Sequence, residues 1–336
     1  MAKIFCPEGH PTITTRFTAA ELAEAGIHLQ DDAAEADVIV AALLEELAPS
    51  MHRFKGGKKY LLWCDEPLWS NIFQKQDIVR TAYLIQDGNS TEPSYVPADA
   101  MNCFTGNVLF SNYHFLLDIY HLDMSSFLKA QGANASPLPP AKERKIAAFL
   151  TYRNGGFWDF KHPSGISGLN TLRSRVALEG ALFGKVDVFG QGWPMNLALP
   201  EEEAKQEGAD LFWLKMQQYA NYKFALCFEN TWSPYYVTEK IWQAILAGCL
   251  PIYFAGPQHT IYQDFPKNSF IDYFDFDHPA QLFALVENMS QEEFDRRMAL
   301  CRSTLYNAIQ LSKDGATPRR LQCAMFAEHV NAMLAS

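Results

Sequence analysis

The chain has 336 residues, 48% of them apolar, and a formal net charge of −10. That length suits two domains of ordinary size, and that apolar share excludes a disordered or fibrous class. The acidic balance argues against nucleic acid or an anionic membrane as the main partner, so a phosphorylated ligand would have to meet a local cluster of cations.

Short apolar runs alternate with helical patterns from the N-terminus onward. "KIFC" and "DVIVAAL" read as strands around a helix near "TAAELAEAG", and "KKYLLWC" as a third strand that opens directly onto "DEPLW". The stretch "LKAQGANASPLPPAKER", Leu128 to Arg144, is rich in Ala, Pro, Gly and charge and reads as an interdomain linker. A second α/β unit follows. Its strands are "KIAAFLTY", "KVDVFGQGW", "KFALCFEN" and "LPIYFAG"; its helices include "LNTLRSRVALEGALFG" and "VTEKIWQAILAG". Late helices close the chain. The alternation predicts two doubly wound α/β domains, 1–140 and 141–312, with a helical segment 313–336 that could pack back toward the first. Two such domains place a ligand at the carboxyl ends of their strands.

Seven cysteines are scattered singly, with no CxxC: Cys6, Cys64, Cys103, Cys227, Cys249, Cys301 and Cys323. They read as buried reduced thiols and suit a reducing, cytoplasmic compartment. The N-terminus lacks the long apolar core of a signal peptide, and no run approaches the ~20 apolar residues of a membrane span. The Asn-x-Ser/Thr triplets at Asn89, Asn134 and Asn288 carry no weight in that setting.

The segment "FENTWSPYYVTEK", Phe228 to Lys240, sets a dense polar insert between two apolar runs. The strand before it and the helix after it, with apolar positions at Ile241, Ala244, Ile245 and Gly248 and Thr238 near the N-cap, put the insert at a strand's carboxyl end and a helix's positive pole. Backbone N–H groups there favour an anion. Lys240 adds a full positive charge where dipole preference alone would put an acid. Glu239 beside it could accept hydrogen bonds from a diol. A nucleotide diphosphate fits both; so does a simple cap with a solvated ion pair.

"FALCFENTWSPYYVTEKIWQAILAGCLPIYFAGP" resembles the α1,3/α1,4-fucosyltransferase family, and "DFPKNSFIDYFDF" looks like its continuation. The resemblance covers roughly fifty residues; the N-terminal half matches loosely. It implies a two-domain GT-B fold, with GDP-fucose bound mainly by the second domain. Residue by residue, it makes Asn230, Tyr236, Glu239 and Lys240 donor-site residues, with Glu229 as support. "LRSRVALEGAL" is similar to the family's helix that presents an arginine to the diphosphate, a bidentate fork on phosphate oxygens. Arg175 fits that position best, with Arg173 the nearby competitor. The bland alternative is a solvated helix arginine.

Inverting transfer needs a base on the acceptor hydroxyl, and a carboxylate suits it. "YLLWCDEPLW" offers Asp65 and Glu66 where a strand ends. The family carries its base at a Glu-Ser-Pro-like tripeptide, so Glu66-Pro67, lacking the serine, selects Glu66, with Asp65 the fallback. A solvated acid pair is the bland alternative. Trp63 and Trp69 could stack on an acceptor sugar, although aromatics so near a strand usually belong to a core.

Asp275-Phe276-Asp277 has the Asp-x-Asp form of metal-dependent glycosyltransferases, but it lies within the segment the resemblance covers, where the family neutralises the diphosphate with side chains and a helix end. No metal ligand set and no required cofactor is expected. No HExxH, P-loop, GxGxxG or Gly-x-Ser-x-Gly appears in the sequence. The expectation is a bacterial-type, metal-independent, inverting fucosyltransferase. Its donor would be GDP-β-L-fucose and its acceptor an oligosaccharide containing N-acetylglucosamine or glucose, joined by an α1,3 or α1,4 link. Expected partners are those two substrates, with no nucleic acid and no membrane span; peripheral membrane association stays open. A GT-B transferase using another sugar nucleotide, or a non-catalytic glycan-binding protein on the same fold, are the competing readings.

Overall fold

The computed structural model describes residues 1–8, 13–42, 44–54, 57–64, 80–85, 94–102, 143–155, 158–161, 166–199, 215, 218–234, 236–313 and 317–336. The chain divides into two compact units, Met1–Phe115 with Asp314–Ser336, and Leu116–Lys313.

The first unit is built on a six-stranded sheet. Its strands are β1 (Ala2–Phe5), β2 (Ile27–Leu29), β3 (Val38–Ala41), β4 (Lys59–Cys64), β5 (Arg80–Ile85) and β6 (Ser94–Asn102). They run in the order β2-β1-β3-β4-β6-β5, parallel except for β5, which pairs antiparallel to β6 at the edge. All four residues of β3 are buried, as a parallel strand covered on both faces requires. Helices α1 (Ile13–Arg16), α2 (Ala19–Glu24) and α3 (Leu44–Phe54) connect the early strands. The start of α2 is a capping box: Thr18 accepts from Glu21 N at 3.2 Å, and the Glu21 carboxylate accepts from Thr18 N at 2.8 Å. The strand β2 and the helix α3, which carries Pro49 inside it, were not legible in the sequence pattern.

The second unit holds a five-stranded, wholly parallel sheet in the order β13-β12-β10-β7-β9. Its strands are β7 (Glu143–Phe149), β9 (Val186–Phe189), β10 (Tyr222–Leu226), β12 (Leu250–Tyr253) and β13 (Ile271–Asp272). A two-residue pair, β8 (Ser167–Gly168) with β11 (Thr231–Trp232), joins the loops beyond β7 and β10. The helices are α4 (Asn170–Leu182), α5 (Glu239–Leu246), α6 (Pro279–Asn288) and α7 (Gln291–Lys313). The last helix, α8 (Thr317–Ala335), belongs to the first unit: Phe326 packs edge-on against Trp63 at 5.2 Å and stacks on Phe17 at 6.5 Å.

Two parallel α/β units in tandem are the make-up expected of a GT-B chain. In the second sheet the connection β7 to β9 runs to one side, and β10 is laid on the other. The chain reverses its direction of growth between β7 and β10. In open α/β sheets that switch point leaves a crevice at the carboxyl ends of the strands, where ligands bind.

Candidate donor-binding site

The apolar run Phe224-Ala225-Leu226 is fully buried and carries β10 to the crevice; Phe228, just beyond it, packs on Tyr273 at 5.3 Å. Glu229 follows, and it is 1% exposed. Its carboxylate accepts from Thr238 N and Thr238 Oγ1, both at 2.6 Å, and from the Tyr253 hydroxyl at 3.2 Å. Lys240 Nζ lies 3.1 Å away. A carboxylate so far from water persists only when charge-assisted partners offset its desolvation, and these do. Glu229 thereby ties the start of α5 back to the end of β10.

Thr238 is the N-cap residue of α5, yet it makes no side-chain capping bond. Its hydroxyl is committed to Glu229 and accepts from Lys240 Nζ at 2.7 Å. The positive helix pole is therefore not capped by the Thr238 side chain; the carboxylates of Glu229 and Glu239 lie at it instead. Lys240 bridges Glu229, Thr238 and Glu239, the last at 3.3 Å. Burial raises the Glu239 carboxyl, but Lys240, Lys215 and its own backbone N–H more than reverse that and bring it to about 2. Glu239 is thus ionised at any working pH and able to accept from hydroxyls.

Lys215 was not singled out by the sequence. It donates to Gln243 Oε1 at 2.7 Å, one turn below Glu239 on α5. Burial lowers its pKa to about 8, against the opposing pull of Glu239. Tyr236 is buried at 2% exposure, and its carbonyl accepts from Tyr253 OH at 3.2 Å. His259 also bonds to the Tyr236 backbone, while its Nδ1 accepts from Ile261 N at 3.1 Å. Burial takes this imidazole down to about 4, so it is neutral. Asn230 is anchored through its carbonyl, which accepts from Leu169 N at 2.9 Å and Asn170 Nδ2 at 3.3 Å. Those bonds clip the β10 loop to the start of α4.

The two arginines of α4 face different ways, because two residues turn a helix by about 200°. Arg175 is exposed, with Glu179 and Tyr273 nearby. Arg173 is 5% exposed and points into the crevice loops: it donates to Asn170 Oδ1 and, at 3.5 Å, to the Phe228 carbonyl. Its Nε has no hydrogen-bond partner among the described residues. Burial, then the neighbouring Arg153, lower its pKa to about 10, with Glu229, Tyr236 and Glu239 acting in the opposite direction. It remains a cation at neutral pH, among the residues that the motif marks. The sequence expectation favoured Arg175; the structure leaves Arg175 exposed and buries Arg173.

Asp275 and Asp277 are exposed. No cluster of three or more metal-ligating side chains occurs among the described residues. The buried acid of that segment is Asp272, which accepts from Ala255 N at 2.9 Å, Gly256 N at 2.8 Å and Tyr262 OH at 2.7 Å, fixing the turn after β12. Asp65, Glu66 and Trp69 lie outside the described residues. Trp63 is a core residue at 1% exposure, the alternative its position suggested.

Residues 166–298 match the family model "Glycosyltransferase family 10 (fucosyltransferase) C-term". Over this segment, less than half of the chain, the protein is similar to family 10 fucosyltransferases. The segment contains Arg173, the Glu229–Lys240 insert and the β12–β13 turn. Among curated relatives, the alpha-(1,3)-fucosyltransferase 4 of Bos taurus is 41% identical over 104 residues, 30% of this chain and 23% of that protein. The GDP-fucose protein O-fucosyltransferase 3 of Gallus gallus is 37% identical over 75 residues, 22% of this chain and 15% of that protein. The matched segments thus span under a quarter of these two relatives' lengths. A solved structure described as alpha1,3-fucosyltransferase with GDP-fucose aligns over 88% of this chain and 81% of its own, at 17% identity and a TM-score of 0.45. No helix among the described residues is long and apolar enough to cross a membrane.

Beyond Lys215, the sequence reading missed Tyr253, His259 and Asp272. Two of them carried a signal: a tyrosine hydroxyl in a buried strand and an acid at a strand's end must each find partners.

Proposed function

We propose that the protein transfers L-fucose from GDP-β-L-fucose to a hydroxyl of an N-acetylglucosamine- or glucose-containing glycan, with inversion, giving an α1,3- or α1,4-fucoside. The observation that carries this is the arrangement at the β7–β10 switch point within the segment similar to family 10 fucosyltransferases. The positive pole of α5, Lys240 and Arg173 converge there, beside the ionised Glu239. The cations and helix pole suit a diphosphate, in the ground state and as a leaving group. Glu239 suits sugar hydroxyls. Asn230 and Tyr236 complete the donor pocket from the loop that Glu229 holds.

Glu66 is the proposed general base on the acceptor hydroxyl, with Asp65 the alternative. The leaving diphosphate is stabilised by side chains and a helix pole without a required metal, and the site of action is the cytoplasm. The name of the Gallus gallus relative gives a protein as acceptor, so an acceptor panel should contain peptides beside oligosaccharides.

Transfer and donor-hydrolysis assays over several sugar nucleotides test the reading. GDP-fucose should be the preferred donor, and activity should survive EDTA. Preference for another sugar nucleotide would replace the donor. Loss of transfer in EDTA with recovery on manganese would return Asp275 and Asp277 to the site. Binding without turnover on any acceptor would favour the glycan-binding protein.

A further inference from the structure

Arg153 lies just beyond β7, on the other wall of the same crevice. Its backbone N–H donates to Ser174 Oγ at 2.9 Å, next in sequence to Arg173. Its guanidinium lies 4.1 Å from the centre of the Trp158 ring. Trp158 is itself held: its N–H donates to the Gly155 carbonyl at 3.0 Å, and its own carbonyl lies where a Cβ on Gly168 would come within 2.3 Å. Only glycine lets β8 pass so close. The loop is pinned to α4 a second time through Thr171 Oγ1 and Gly155 O at 3.4 Å.

Two guanidinium groups are therefore placed beside one helix start, close enough that Arg153 opposes the charge of Arg173. Like charges near a half-buried site are unfavourable for the isolated fold. A bound dianion turns that repulsion into two attractions. The Arg173 Nε, without a partner among the described residues in a side chain that is nineteen-twentieths buried, is a donor for a ligand to satisfy.

We propose that Arg153 is a second guanidinium of the diphosphate site, reaching the phosphates from the rim of the β7–β10 crevice while Arg173 reaches them from its floor. Trp158 is the platform that orients the fork. The inference rests on the donor reading above and adds to it a residue from the loop after β7, outside the matched family segment.

The test is calorimetric titration of the full chain with GDP and with guanosine, which carries no phosphate. Arg153→Ala should weaken GDP about tenfold and leave guanosine within twofold, since one charge-assisted contact is lost. Arg153→Lys should fall between, keeping the charge but not the fork, and Trp158→Leu should cost GDP about threefold. Unchanged GDP affinity in Arg153→Ala would overturn the proposal. So would a parallel loss of guanosine and GDP, which would mean that Arg153 only shapes the loop. A wild-type chain that binds no GDP would remove the donor reading and this proposal together, a result distinct from a GDP-binding wild type indifferent to Arg153.

Discussion

The two sheets share the order of their first four strands and differ in how their crevices are furnished. Each places its first strand between its second and third: β2-β1-β3-β4 in one unit and β9-β7-β10-β12 in the other. Each therefore has a switch point at the end of its first strand. In the first unit the described residues there include Phe5 and Cys6 at the end of β1, and Ala41 and Ala42 at the end of β3. Burial pushes the Cys6 thiol up to about 12, so it is neutral, and Ala42 N is satisfied by Glu46 at 3.2 Å. In the second unit the same place holds Arg153, Arg173, Glu229 and Asn230, with the pole of α5 beside them. Strand order makes a crevice; it does not decide what chemistry the crevice can hold. The charged side chains do that, and each is held by a contact that can be removed.

The largest effect should come from Glu66, which lies outside the described residues. Glu66→Gln keeps size and hydrogen bonding but removes basicity. If Glu66 is the base, kcat should fall by ~10²–10⁴-fold with GDP affinity nearly unchanged. Asp65→Asn should be milder. A dead Asp65→Asn beside an active Glu66→Gln would move the base by one residue, and activity in both would place it elsewhere.

Glu229 sharpens the contrast next. Glu229→Gln breaks a buried ion pair with Lys240 and turns one of the two acceptors facing Thr238 into a donor. Breaking such a pair costs about 3–5 kcal/mol, which urea unfolding would read directly. A loss under about 1 kcal/mol would mean that Glu229 is not what holds the α5 start.

A smaller effect should appear with pH. His259 titrates at about 4 when folded, against an ordinary 6.5, because burial disfavours its charged form. The folded chain binds fewer protons across that window. Its contribution is present above pH 6.5 and is lost as pH falls toward 4. Thermal unfolding of wild type against His259→Gln should show the wild-type advantage shrinking between those values. A difference that stays flat from pH 7 to 4 would refute the assignment.

Much of this architecture was legible because strands buried on both faces leave continuous apolar runs. "DVIVAAL", "KFALCF" and "LPIYF" each coincide with a parallel strand. The helix α5 was legible from Ile241, Ala244 and Ile245, all buried, and from Thr238 at its start. How the Thr238 hydroxyl is used was not, because its partner Glu229 is nine residues away and reaches it only through the fold. The choice between Arg173 and Arg175 was illegible for another reason. Leu172, Val176, Ala177, Leu178, Ala181 and Leu182 surround α4, so the helical period selects no single face. Only the contact with the β10 loop shows which arginine turns inward. Lys215 escaped because it meets α5 only through Gln243, 28 residues further on, a pairing with no sequence signature.

The central claim is that the donor's diphosphate is held in the β7–β10 crevice by Lys240 and the buried Arg173, and not by the exposed Arg175. Calorimetric titration of GDP into wild type, Lys240→Ala, Arg173→Ala and Arg175→Ala tests it most directly. Each charge-assisted contact with phosphate is worth about 1.5–3 kcal/mol, so Lys240→Ala and Arg173→Ala should each weaken GDP about tenfold or more. Arg175→Ala should stay within about twofold, as an exposed charge does. Unchanged affinity in both Lys240→Ala and Arg173→Ala, or a loss confined to Arg175→Ala, would contradict the account.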